Sequence, residues 1–267
     1  MSRQVKIWLF ILTWLAMLVY LVYALNFSKG KTKDVVCKNI RVDVLDSSQF
    51  QMVKATEIRK RLLGKEFNLI GKPLNEINTS ILEDELSQIA AVRNVEVFKT
   101  ANGTLCVNVE QRIPIVRVFN AKNQSYYIDN EGSILPFRVK LAANVLIVNG
   151  NIHEPFVIKP NISVLSIPDS ASRNNLLIKQ IFQFARFINS NSFWKAQVSQ
   201  LYVNNSNNIE LVPTVGPHIV LLGNLTNFKN KLAKLELLYK KALPVEGWNK
   251  YSIINLKYSN QIVCTKR

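Results

Sequence analysis

The sequence predicts an α+β protein in three parts: an N-terminal transmembrane helix, a small β-α-α-β-β domain, and a β-rich domain with two helices. Three observations carry this expectation. The run 7–25 is apolar throughout and holds no charge, Gly or Pro. Residues 37–114 then switch between period-two and helical patterning. Residues 115–267 read as a series of short alternating strands interrupted by two apolar helical faces. Apolar residues make up 48% of the chain, enough for sizeable cores and too many for wholesale disorder.

Composition narrows the function classes. Two His exclude a His-rich metal site, and three Cys exclude a disulfide-dense scaffold. The net charge is +16 and unevenly placed. Residues 34–110 hold ten Lys and Arg against eleven Asp and Glu, whereas residues 111–267 hold nineteen against seven. Such a balance points to nucleic acid, anionic lipid or an acidic partner.

The run from Ile7 to Leu25 is long enough to cross a bilayer as a helix, about 28 Å at ~1.5 Å per residue. Trp8, Tyr20 and Tyr23 stand toward its ends, where aromatic rings prefer the interface. The rival is a cleaved signal peptide ending at Val22-Tyr23-Ala24, but the apolar run is longer than such peptides carry. The expectation is an uncleaved single span, with residues 1–6 as a short tail and 26–36 as a polar linker. Positive charges are balanced across the span, so charge does not orient it. Seven Asn-x-Ser/Thr triplets follow from an Asn-rich chain rather than from glycosylation; Asn78 is expected to cap a helix and Asn102 to sit in a hairpin.

Ile40, Val42 and Val44 alternate with Arg41 and Asp43 as a half-buried strand. Thr56 to Leu63 is expected to be helical, with Ile58, Leu62 and Leu63 on its apolar face and Gly64 ending it. Ser80-Ile81-Leu82-Glu83 reads as a capping box, followed by Leu82, Leu86, Ile89 and Ala90 on one helical face. Val95 and Val97 mark a second strand. Asn102-Gly103 predicts a type I′ hairpin into Leu105, Val107 and Val109, with Cys106 on the other side. One apolar sheet face is thus available for two helices to cover.

In the basic region, 115–119, 126–128 and 144–148 read as strands. Leu176, Leu177, Ile181, Phe182, Ala185 and Ile188 form a helical face. Strands follow at 198–203, 209–212 and 219–222, then a helix from Asn227 to Ala242 that stops before Pro244. The region closes with strands at Tyr251–Tyr258 and Gln261–Thr265. Lys229, Lys231, Lys234, Lys240 and Lys241 against Glu236 read first as a solvated helix face, and second as an attraction for an anionic surface.

Catalytic chemistry is not legible. No G-x-S-x-G, Walker A, H-E-x-x-H or Cys-x-x-Cys motif occurs. His153 and His218 read as surface or turn residues, and Asp129 as a turn residue bonding its own backbone. Cys37, Cys106 and Cys264 either form one disulfide or remain three thiols. No cofactor or metal is expected.

The order of these elements resembles a POTRA domain placed after a single span. Val109-Glu110-Gln111-Arg112-Ile113-Pro114-Ile115-Val116 is similar to the motif that closes the POTRA domain of the FtsQ/DivIB bacterial division proteins. Tyr126-Tyr127-Ile128-Asp129-Asn130-Glu131-Gly132 resembles that family's aromatic-x-D-x-x-G hairpin. The stretch Ile254-Asn255-Leu256-Lys257-Tyr258 through Val263 resembles its terminal strand pair, with Asn255 and Lys257 departing from the family's Asp and Arg. Ala91 stands where the family often has Pro. The resemblance implies a POTRA-like domain at 37–114 and a β domain at 115–267. It implies a non-enzymatic scaffold of the division complex, with its N-terminus cytoplasmic and its bulk outside the bacterial inner membrane at the division site.

The implied partners are FtsB/FtsL-like coiled-coil proteins, with FtsK- and FtsW/FtsI-like proteins as further candidates, and no nucleic acid. Strand addition at the last hairpin would use Tyr251, Tyr258, Ile262, Val263 and Cys264, with Lys257 and Lys266 meeting acidic residues. Glu110, Arg112 and Pro114 would form the domain junction. Two other classes stay open: a POTRA-containing polypeptide transport or outer-membrane assembly component, and a membrane-anchored hydrolase.

Overall fold

The computed structural model describes residues 8, 10, 12–23, 35–45, 51–64, 67–137, 143–154, 162–168 and 173–267. The chain forms two compact units, one built mainly from 53–88 and 92–111, the other mainly from 112–267.

The transmembrane helix is the first expectation to fall. Among the described residues no helix is long and apolar enough to cross a membrane. The single-pass inner-membrane topology rested on that span and is withdrawn with it. The tail 1–6, parts of the run 7–25 and most of the linker 26–36 lie outside the described residues.

The smaller unit has the expected β-α-α-β-β order. It comprises β1 (Asn39–Leu45), α1 (Ala55–Leu62), α2 (Thr79–Ser87), β2 (Val92–Lys99) and β3 (Thr104–Gln111). The sheet order is β1-β3-β2, with β1 parallel and β2 antiparallel to β3. Leu105, Val107 and Val109 are fully buried, and Ile58, Leu62, Leu82 and Leu86 of the helices join the same core. Leu63 does not: it lies beyond the end of α1 and is largely exposed.

Local chemistry differs from expectation at two turns. Asn78 caps α2 as expected, its Oδ1 accepting from Ser80 N–H (3.0 Å) and Ile81 N–H (3.4 Å), but the Ser80–Glu83 capping box does not form. The helix therefore starts before Ser80, and Glu83 is free to reach the sheet, where its Oε1 accepts the Val97 N–H at 2.7 Å. The 100–103 turn is not type I′: only Gly103 has positive φ (90°), and Gly103 N–H donates to Thr100 O at 3.1 Å. This is a three-residue hairpin loop with glycine in the left-handed position. A Cβ at Gly103 would stand 2.6 Å from Val36 O, so the position requires glycine on both counts.

The larger unit is a nine-stranded sheet, broader than the sequence suggested. Its strands are β4 (Pro114–Phe119), β5 (Ser125–Asp129), β6 (Ile134–Pro136), β7 (Leu146–Gly150), β8 (Val198–Asn205), β9 (Asn208–Pro213), β10 (Ile219–Gly223), β11 (Tyr251–Asn255) and β12 (Val263–Lys266). The order across the sheet is β12-β11-β10-β9-β8-β7-β4-β5-β6. Three joints are parallel: β4–β7, β7–β8 and β10–β11. A parallel joint needs a crossover, and helices supply the last two: α3 (Arg173–Ser190) with α4 (Ser192–Gln197), and α5 (Phe228–Leu237).

The core lies on one face of this sheet. Val116, Val118, Val148, Leu201, Leu211, Val220 and Ile254 pack there with Ile181, Phe182 and Ala185 of α3 and with Leu232 and Leu235 of α5. The expected helix 227–242 does not stop at Pro244. It passes through a π-helical segment, Leu238–Ala242, into α6 (Leu243–Glu246), where Pro244 sits in the first turn and needs no hydrogen bond from its nitrogen.

Candidate functional site

The last hairpin was the expected partner surface. β12 ends the sheet order and pairs only with β11, through Asn255↔Val263, Ile254↔Cys264 and Ile253↔Thr265. Both strands are shorter than expected. Lys257 and Tyr258 therefore lie in the connecting turn rather than on a strand. The turn is held from outside: Lys234 Nζ donates to Tyr258 O (2.8 Å) and Ser259 O (2.9 Å), and Lys257 Nζ donates to Asn208 Oδ1 (2.8 Å).

Side chains of the expected set divide between core and surface. Tyr251, Ile262 and Cys264 are partly buried and pack on the core. Val263 is 41% exposed, Tyr258 is 50% exposed, and Lys266 is exposed. Beyond β12, Arg267 Nη2 donates to Pro217 O at 3.0 Å and Arg267 N–H to Lys250 O at 3.2 Å. The edge strand is thus fixed at both ends while its outer side stays unpaired among the described residues. Fixed geometry with free N–H and C=O groups is what strand addition requires.

The lysines of α5 and the π segment do more than solvate a face. Lys231 Nζ donates to Leu222 O (2.9 Å) and Asn224 O (2.8 Å), binding the helix to the end of β10. Burial and the neighbouring Lys234 lower its pKa. Lys229 and Lys240 stand over the rings of Phe187 (5.8 Å) and Phe193 (5.1 Å). Behind this hairpin lies a feature the sequence reading missed. His218 is 2% exposed, not a surface residue. Its Nε2 shares a hydrogen bond with Tyr239 Oη at 2.7 Å, and its ring stacks on Trp248. Burial lowers its pKa. Its neighbours Pro217 and Ile219 signal only a strand start, and the burying partners come from remote sequence.

The junction residues have separate roles. Arg112 Nη1 contacts Asp129 Oδ2 (2.8 Å), Glu131 Oε2 (3.1 Å) and Ser133 Oγ (2.9 Å). Asp129, 3% exposed, also accepts from Glu131 N–H (2.9 Å) and Ser133 N–H (2.7 Å) through Oδ1. The D-x-x-G turn is therefore an Asx turn, as its own spacing implied, and it is tied to the half-buried Arg112. Glu110 pairs with Arg93 at 2.7 Å on the surface of the smaller unit, and Pro114 is buried at the start of β4.

Nothing in these contacts forms a catalytic constellation. Among the described residues no group of three or more His, Cys, Asp or Glu could hold a metal ion. The three cysteines are unpaired, with Cys37 and Cys106 buried, so the disulfide reading is set aside. Burial raises the pKa of both Cys37 and Cys264, which makes them poor thiolates.

The chain is thus a compact β-α-α-β-β module followed by a broad sheet whose β12 edge is unpaired among the described residues. Family comparison agrees for both parts. Residues 35–110 match the POTRA-like domain, and residues 113–265 match the family described as FtsQ/DivIB, C-terminal related. The chain belongs to the FtsQ/DivIB family of bacterial cell-division proteins. No curated protein matches it. These domains are non-catalytic scaffolding modules, so the chain is not an enzyme and serves the division complex through protein–protein interactions.

Proposed function

We propose that this chain links division proteins by adding a partner strand to the outer edge of β12. The supporting observation is the place of β12 at the end of a nine-stranded sheet, clamped by Arg267 and paired on one side only among the described residues. Val263, Tyr258 and Lys266 are the exposed contacts, and Lys257 flanks them. FtsB/FtsL-like coiled-coil proteins are the first partners, with FtsK- and FtsW/FtsI-like proteins as others, and the outcome is control of septal wall synthesis. The working modules are residues 37–114 and 115–267, with Glu110, Arg112 and Pro114 closing the first and opening the second.

Successive N–H groups along a strand point to opposite sides, so one of Val263 and Cys264 donates outward. Proline at that position removes an outward donor without touching the native ladder. Val263→Pro and Cys264→Pro are compared by co-purification of FtsB/FtsL-type proteins and by thermal melting. One variant is expected to keep the native melt and lose the partner. Retained binding by a natively folded member of the pair would end the strand-addition reading.

A further inference from the structure

The helix-covered face of the large sheet is a closed core, but the opposite face carries an arginine in an unusual setting. Val116 and Val118 of β4 point into the core, so Arg117 and Phe119 project from the other side. The Arg117 Cζ lies 3.8 Å from the centroid of the Phe137 ring and 4.4 Å from that of Phe119, with Tyr127 at 5.7 Å. Its Nε donates to Ser125 Oγ at 2.9 Å. Three aromatic rings thus surround the guanidinium, and the serine takes its Nε–H. The remaining donors lie in the guanidinium plane, at its Nη edge.

That edge has no carboxylate partner among the described residues. Arg112 of the same unit, by contrast, is neutralised by Asp129 and Glu131. A guanidinium held among aromatic rings and by a hydrogen bond at Nε is preorganised for a planar, bidentate acceptor. The surroundings extend the site. Across the sheet, Arg117 stands opposite Ile147, and Ile147 opposite Gln200. Phe119, Ile147, Asn149 and Gln200 line a cleft of about 490 Å³. Gln200 Nε2 donates to Asn149 Oδ1 at 2.8 Å. This leaves the Asn149 amide nitrogen as a donor and the Gln200 carbonyl oxygen as an acceptor, the two kinds of group that a peptide main chain pairs with.

We propose that the face of the nine-stranded sheet opposite its helices holds a carboxylate-recognition site centred on Arg117, which takes an extended acidic segment of a partner protein. Charge supports the choice of partner: residues 111–267 carry nineteen Lys and Arg against seven Asp and Glu. The site rests on β4, β7 and β8, away from β12 in the sheet order, and does not depend on strand addition there.

The test follows the Arg117 Nε–H resonance in the ¹⁵N-arginine-labelled full chain. The probes are an acetylated, amidated Gly-Glu-Val-Glu-Gly peptide, its Gln counterpart, inorganic phosphate and a ten-residue oligothymidylate. The acidic peptide is expected to shift Arg117 saturably at millimolar concentration, and the Gln peptide to bind roughly tenfold more weakly, because a charge-assisted fork is lost. Arg117→Lys keeps the charge but loses the fork and the ring stacking, and is expected to weaken binding about fivefold or more. Equal binding of the Gln peptide, tighter binding of phosphate or oligonucleotide, or an unmoved Arg117 resonance would overturn the site. The wild-type comparison among probes decides the matter even if a variant fails to fold.

Discussion

In the three-stranded sheet, β2 ends the ladder and Glu83 of α2 occupies the outward N–H of Val97. In the nine-stranded sheet, β12 ends the ladder, and among the described residues no side chain takes an N–H of Val263, Cys264, Thr265 or Lys266. The two sheets also treat charge differently. Ion pairs of the small unit, Arg41–Asp43, Arg61–Glu85 and Arg93–Glu110, sit at the surface, where such pairs contribute little. The large unit draws Arg112 and Asp129 inward, with side chains 18% and 4% exposed. An edge stoppered by a carboxylate resists pairing with another chain, and an edge left open and basic invites it. The contrast is what the strand-addition proposal for the large sheet draws on.

Three experiments probe that contrast, in falling order of effect. Arg112→Met leaves Asp129 buried without its counter-charge and is expected to cost about 3–5 kcal/mol in the large unit. Urea denaturation followed by tryptophan fluorescence reads this through Trp194 and Trp248. A loss under about 1 kcal/mol would place this pair with the surface pairs of the small unit. Glu83→Ala removes a charged acceptor from the Val97 N–H and is expected to cost about 1.5–3 kcal/mol. Amide exchange at Val97 should accelerate and self-association should appear in gel filtration. An unchanged Val97 amide would mean that the edge of β2 is protected by something other than Glu83.

The third experiment concerns pH. Burial lowers the pKa of His218 in the folded protein below its ordinary value of 6.5. The unfolded chain therefore binds the proton first. The contribution of His218 to stability is complete above about pH 6.5 and declines as pH falls toward the folded pKa. The urea midpoint of the large unit should drop between pH 7.5 and 5.5, and His218→Phe should flatten that dependence. A slope unchanged by the substitution would assign the acid sensitivity to other groups.

Much of the architecture was legible because it depends on local periodicity. Ile40/Val42, Leu105/Val107/Val109 and the α3 face announced their elements directly. What was missed depends on distant partners. β6 has only three residues and is recognised by its pairing with β5, not by pattern. The capping box failed because Asn78, two residues earlier, offered a better cap and released Glu83 to the sheet. The apolar N-terminal run met a sequence criterion for a span, yet among the described residues no helix is long and apolar enough to cross a membrane. At the candidate site, hairpin and motif spacing identified β11 and β12. The Arg117 cage was invisible, because Phe119, Ser125 and Phe137 surround it only once β4, β5 and the chain after β6 are brought together.

The parallel joints of the large sheet have a kinetic consequence. The hairpin β11–β12 meets the rest of the sheet through only three register pairs, Ile219↔Ile253, Val220↔Ile254 and Leu221↔Asn255. Such a short seam, formed after a long crossover, is late to close. Core burial of Ile254 and Leu256 and the ties from Lys234, Lys257 and Arg267 should make the hairpin open only as one cooperative unit, with the amides of Ile253 to Asn255 exchanging together. A partner strand bound to β12 would slow that exchange by mass action. Protection at the seam then becomes a measure of occupancy at the edge.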